Sequence, residues 1–152
     1  MLTNNGKAYL LPEKVMAAGG YPSIKTMLAS GVPVTKTGAE INGDPHVYVG
    51  SGSDPATADD TELTLISTLT LIGEEAIEGT STGRSYEDRQ ISAYTATYRN
   101  DTNSNVIVSE VGVAIRFTGM SYQNEYALLS RDVINPVTIA PGKTYAFSVV
   151  WG

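Results

Sequence analysis

The chain has 152 residues, no cysteine, and ten Lys and Arg against sixteen Asp and Glu, for a net charge of −6. An acidic chain without basic runs argues against nucleic acid as a partner, because phosphate neutralisation supplies most non-specific affinity; the missing thiols remove disulfide and thiolate chemistry. Charged residues make up 17% of the chain against a typical ~25%, and Thr, Ser, Gly and Asn fill the difference, a composition of strands and turns that leaves more surface for protein contacts.

The length suits one domain, residues 1–152, able to bury roughly 70% of its unfolded surface. No apolar run approaches the ~20 residues of a membrane span. The opening residues lack the charged-then-apolar pattern of a secretory signal, so synthesis in a reducing cytoplasm is expected. Residues 1–44 read as a helical and loop-rich N-terminal arm. Pro12–Gly19 has Pro at a first helical position, an acid in the first turn and Gly at the end, which predicts a short helix. Pro22–Gly31 predicts a second one, with Ile24, Met27 and Leu28 at i, i+3 and i+4 and Gly31 beyond the end.

From residue 45 onward the pattern is β. His46–Gly50 reads as a strand entering a turn-rich surface loop, Ser51–Asp60. Leu63–Ile72 predicts a strand buried on both faces. Glu74–Gln90 is the most hydrophilic segment and fits either a hairpin extension or a mobile loop. Ile91–Tyr98 alternates, with Tyr94, Ala96 and Tyr98 on one face. The turn cluster Asn100–Asn105 predicts a hairpin between the strands that flank it. Val106–Phe117 places Val111, Val113, Ile115 and Phe117 together. Glu125–Ile134 is another strand, ended by Asn135-Pro136 and followed by Val137–Ile139 and the Pro-Gly turn Ala140–Lys143. The closing strand, Thr144–Trp151, has Tyr145, Phe147, Val149 and Trp151 on one face and gives the clearest period-two signal. Roughly seven strands with turns between them predict a mainly β fold, an antiparallel β-sandwich of jelly-roll-like type, with one or two short N-terminal helices.

Candidate chemistry is sparse. Gly142-Lys143-Thr144 lacks the preceding glycine and the following helix of a phosphate loop, and a turn is the better reading. Gly50-x-Gly52 has no third glycine and no helix after it. His46 is the single histidine, so a triad or a His-based metal site would rest on it alone. Asp54, Asp59, Asp60 and Glu62 share a loop, but without EF-hand spacing. Asn100-Asp101-Thr102 fits the N-glycosylation pattern and equally a turn. No residue pair qualifies as nucleophile and base, so no enzyme activity and no cofactor are expected. Glu110, Arg116, Arg131 and Asp132 are charges within apolar strands, either solvated pairs or subunit contacts that set register. Tyr94 and Tyr98 suit core packing, a subunit contact or stacking on carbohydrate.

Several phrases, taken in order, resemble a family. They are Thr3-Asn4-Asn5-Gly6; Val47-Tyr48-Val49-Gly50-Ser51-Gly52-Ser53 with Pro55; Asp59-Asp60-Thr61-Glu62-Leu63; Ser109-Glu110-Val111-Gly112-Val113; and Leu128-Leu129-Ser130-Arg131-Asp132-Val133. The order is similar to that of small β-sandwich virion proteins of tailed bacteriophages. The chain departs from that pattern after Leu63, where the family often has a charged segment and Thr64–Ile72 has none. The resemblance implies a structural virion component, a homo-oligomer at the tail, neck or fibre base among other virion proteins. Two alternatives are a capsid decoration protein and a carbohydrate-binding host-recognition module.

Overall fold

The computed structural model describes residues 1–10, 23–25, 33–35, 46–78, 92–116 and 126–151. It is mainly β. One short helix, α1 (Asn4–Leu10), precedes strands β1 (Ser23–Lys25), β2 (Pro33–Thr35), β3 (His46–Gly50), β4 (Leu69–Glu78), β5 (Ser92–Asn100), β6 (Val106–Arg116), β7 (Tyr126–Ile139) and β8 (Thr144–Trp151). Strands β1 and β2 pair as a small antiparallel ribbon. The rest form two antiparallel sheets, ordered β3-β6-β7 and β4-β5-β8.

The two sheets share one apolar cluster. Val47 and Val49 of β3, Val108, Val111, Val113 and Ile115 of β6, and Ala127 and Leu129 of β7 meet Leu69 of β4, Ala96 and Tyr98 of β5, and Phe147 and Val149 of β8. The period-two patterns of β5 and β8 place these side chains as expected: Ala96, Tyr98, Phe147 and Val149 are buried, while Ala146, Ser148 and Val150 face out. Burying each large apolar side chain contributes about 1.5–3 kcal/mol. On the reverse face of the first sheet, Leu63, Ala114 and Leu128 form a second cluster with Tyr48 against it. Val111–Ile115 is therefore buried without alternation.

Several sequence expectations are corrected. The helix expected over Pro22–Gly31 is not formed at Ser23–Lys25, which pair with Pro33–Thr35 as a strand; a cross-strand partner overrides a weak helical spacing. The helix expected at Pro12–Gly19 lies outside the described residues, and the helix that is described starts at Asn4. Leu63 leads no strand: Thr64–Ile66 run along the outer edge of β3, Leu65 bridges Gly50, and β4 starts at Leu69. Because β4 is an edge strand, Leu71 and Ile72 are exposed instead of buried on both faces. The arms flanking residues 79–91 pair antiparallel as far as Glu78 and Ala93, the hairpin alternative.

Asn100–Asn105 does not close a hairpin, since β5 and β6 belong to different sheets. Asn100 explains the crossing. Its buried side chain donates to the Ser104 and Ile139 carbonyls at 2.7 and 2.8 Å and accepts from the Thr102 backbone N–H and hydroxyl. Its backbone bonds to Lys143 and Gly142 tie in the neighbouring Pro-Gly turn, which joins β7 to β8 and also crosses between sheets. Gly142 has φ +75°, and with Pro141 before it and a 3.0 Å bond from Lys143 N–H to the Ala140 carbonyl the turn has type II character. Finally, Pro136 does not end a strand. β7 runs through it because the register breaks there, leaving Ile134–Pro136 opposite Ser109, on an edge strand where a missing N–H is tolerated.

Candidate functional site

A buried cluster of charged side chains lies on the reverse face of the β3-β6-β7 sheet. Strand β6 carries Glu110 there and β7 carries Arg131; Gly112 pairs with Arg131 and Gly50 with Glu110. Arg131 Nε donates to Glu110 Oε2 at 2.7 Å, and Nη1 donates to Asp60 Oδ2 at 2.8 Å. Nη1 also reaches the Pro55 carbonyl and Nη2 the Asp54 carbonyl, at 3.5 and 3.0 Å. The other carboxylate oxygen of Glu110 accepts from Thr64 N–H at 2.5 Å. The side chains of Glu110 and Arg131 are 1% and 7% exposed, and that of Asp60 20%.

Two of these groups titrate away from their ordinary values. Burial alone would raise the Asp60 carboxyl, but the Thr57 backbone N–H, the Arg131 guanidinium and the Thr57 hydroxyl bond to it, and with the Arg131 charge they hold it below its usual 3.8. Burial likewise works against the Arg131 cation, yet bonds to Asp60 and Glu110 and their negative charges keep its pKa above the usual arginine value. The arrangement is a clasp. Its guanidinium fork bonds two loop carbonyls and two carboxylates, so it pins Ser51–Thr64 onto the sheet.

Backbone shape completes the clasp. A Cβ on Gly52 would lie 2.5 Å from Glu110 Oε2, and one on Gly50 would collide with the same carboxylate. The Ser109 hydroxyl donates to the Gly52 carbonyl at 3.0 Å. Along the outer edge of β7, Thr3 N–H bonds to the Leu129 carbonyl and Arg131 N–H to the Met1 carbonyl. The Thr3 hydroxyl donates to Leu128 and Leu129 carbonyls, and Asn4 Nδ2 reaches Asp59 at 2.7 Å.

The residues singled out in the sequence are therefore placed as follows. Glu110 and Arg131 are brought together, inside this chain. Asp132 is separate, half-exposed and paired with the Met1 amine. The Arg116 side chain lies outside the described residues. Tyr98 is buried, its hydroxyl donating to the Val47 carbonyl at 2.5 Å and its ring edge-on to Phe147; burial and then the Glu74 charge push its pKa up to about 12. A ring so enclosed offers no face to a sugar. Tyr94 packs half-buried against the core. His46 pairs with Glu74 at 2.8 Å across the sheets. The loop acids do not gather around a common point, and among the described residues no group of three or more His, Cys, Asp or Glu side chains could hold a metal ion. Asn100 Nδ2 is committed inside the corner, which gives the glycosylation-like triplet a turn role.

Sequence reading missed Asp60 as the third member of the clasp and Asn100 as the pin of the corner. The signal for Asp60 was its spacing in the Asp-Asp-Thr-x-Leu phrase; burial of Asn100 had none. Compared with protein-family models, curated proteins and solved structures, the chain matches none.

Proposed function

We propose that this chain is a non-catalytic structural component of a tailed-bacteriophage particle. In this reading it is an antiparallel β-sandwich, jelly-roll-like in plan, made in the host cytoplasm and carried in the virion. It forms a symmetric homo-oligomer at the tail, neck or fibre base, among other virion proteins. The three sheet-to-sheet crossings, β3 to β4, β5 to β6 and β7 to β8, are the kind of connection that jelly rolls use.

The observation that carries the reading is the convergence of the phage-like phrases. Thr3-Asn4-Asn5-Gly6, the Gly50-Ser51-Gly52 turn, Asp59-Asp60, Glu110-Val111-Gly112 and Ser130-Arg131-Asp132 lie far apart in sequence. They meet at one buried clasp and its flank. Residues that share such a cluster specify a fold and a loop position, which is what a family of particle components would hold in common while their outer surfaces differ.

Negative-stain imaging of virions labelled with an antibody against this chain tests the reading. Label at one vertex, on the tail or at the fibre base is expected, and label spread over the head would favour capsid decoration. Intact particles without label would end it.

A further inference from the structure

The four edges of the two main sheets are not treated alike. Residues 1–3 run along the outer edge of β7, bonded through Thr3 N–H and the Met1 carbonyl. Thr64–Ile66 cover the outer edge of β3, with Ser51 N–H on the Thr64 carbonyl and Ile66 N–H on the Val49 carbonyl. The β4 edge has Glu74, Glu75 and Glu78 and two register breaks. Charges, breaks and covering segments are how sheet edges are kept from pairing with other chains.

Among the described residues strand β8 has none of these devices. Its sequence, Thr144-Tyr145-Ala146-Phe147-Ser148-Val149-Val150-Trp151, holds no charge, no proline and no glycine, and its pairing with β5 is unbroken from Thr144 to Trp151. Among the described residues nothing pairs with its outer edge. Val150 is 69% exposed and Tyr145 45%. Tyr145, its ring 4.8 Å from Phe147, lies at the rim of a 330 Å³ groove shared with Val111, Ile134 and Val137.

We infer that the β8 edge pairs with β8 of a second copy of this chain, antiparallel about a two-fold axis, joining two three-stranded sheets into one continuous sheet. Charge selects this occupant. Self-pairing of β4 would set carboxylates against carboxylates, which destabilises a strand pair, whereas self-pairing of β8 opposes only neutral side chains. Geometry agrees. Directly opposed residues in an antiparallel pair share a face, so the axis passes at Phe147 or Ser148, and either position overlaps most of both strands. A self-complementary patch of this kind closes as a dimer, and the outer strands of the joined sheet are then the charged, irregular β4 of each copy. The inference deepens the assembly reading above by naming its contact, while the argument for it stands on the edges alone.

Sedimentation and hydrogen exchange on the purified full chain test it. Wild type is expected to be dimeric, with β8 amides that lose protection on dilution. The double variant Ser148→Lys/Val150→Lys, altered only at outward-facing positions, is expected to sediment as a monomer with unchanged far-UV circular dichroism and a thermal midpoint that no longer depends on protein concentration. A wild-type chain that stays monomeric at high concentration overturns the inference, and so does an oligomer whose β8 protection ignores dilution. In the second case virion labelling can still succeed, which separates failure of this contact from failure of the proposed function. If the double variant loses its fold, concentration-dependent exchange of the wild type decides alone.

Discussion

Replacing Arg131 with Met is the sharpest perturbation of the clasp. Met keeps much of the side-chain length and removes the charge. Glu110 is then left 1% exposed with the Thr64 N–H as its remaining partner among the bonds described, and the Asp54 and Pro55 carbonyls lose a donor. Breaking a buried ion pair by deleting one partner costs about 3–5 kcal/mol, because the other charge stays buried and uncompensated. Against a total stability of roughly 5–15 kcal/mol this brings the variant close to unfolding. The double variant Glu110→Gln/Arg131→Met removes both charges and leaves an amide oxygen that can still accept from Thr64. It is expected to lose less than the sum of the single changes, with a coupling of about 1–3 kcal/mol. Equilibrium urea denaturation followed by far-UV circular dichroism gives all four corners of the cycle. Additive single effects, or a cost for Arg131→Met below about 1 kcal/mol, would refute the view that the pair is desolvated and mutually dependent.

Four further outcomes are expected. Asn100→Ala should cost about 1–3 kcal/mol in urea denaturation, since the Ile139 carbonyl is left buried without its donor. Gly112→Ala should cost about 1–3 kcal/mol, because its Cβ would sit 2.6 Å from the Ser130 carbonyl oxygen, whereas Gly73→Ala meets no atom within 4 Å and should leave the thermal midpoint nearly unchanged. Tyr98 has a folded pKa raised from 10.0 to about 12, so the unfolded chain gives up its proton first and stability should fall as pH rises through that interval, a fall that Tyr98→Phe removes. Asp60 has a folded pKa below its ordinary 3.8; its contribution is present above that value and lost as pH drops through the folded one, so an Asp60→Asn variant should show a flatter acid limb in pH-dependent melting.

The strands were legible wherever one face is buried and the other wet. β5 and β8 follow that rule at Ala96, Tyr98, Phe147 and Val149, while Tyr145, expected on the same face of β8, is 45% exposed at the start of the strand. Where the chain covers both faces of a sheet the rule fails, and Val111–Ile115 shows why: Leu63 and Leu128 cover the reverse face, so alternation carries no direction. Topology was harder. Asn100–Asn105 has the composition of a hairpin turn, and only the burial of the Asn100 side chain against Ile139 distinguishes a crossing between sheets from a return within one. The charges in β6 and β7 were visible, but their partner Asp60 lies 50 residues before Glu110 and 71 before Arg131, so the Asp-Asp-Thr-x-Leu phrase marks the residue without naming what it pairs with.

The two main sheets divide the work of the molecule. The β3-β6-β7 sheet is covered on both faces over Val111–Ile115, holds the clasp, and has both of its edges occupied by the chain's own segments. The β4-β5-β8 sheet contributes to the core with one face and presents the other, with Thr70, Arg99, Thr144, Ala146, Ser148 and Val150 outward, Thr95 bonded to Ser148 across the strands at 2.8 Å. Thr, Ser and Ala on a paired sheet give a flat surface with few charges to desolvate, and such a surface costs less to bury against a partner than a charged one. Exchanging the outward residues of β8 for lysines should therefore change self-association while leaving the secondary structure of the chain intact, as read by sedimentation and far-UV circular dichroism.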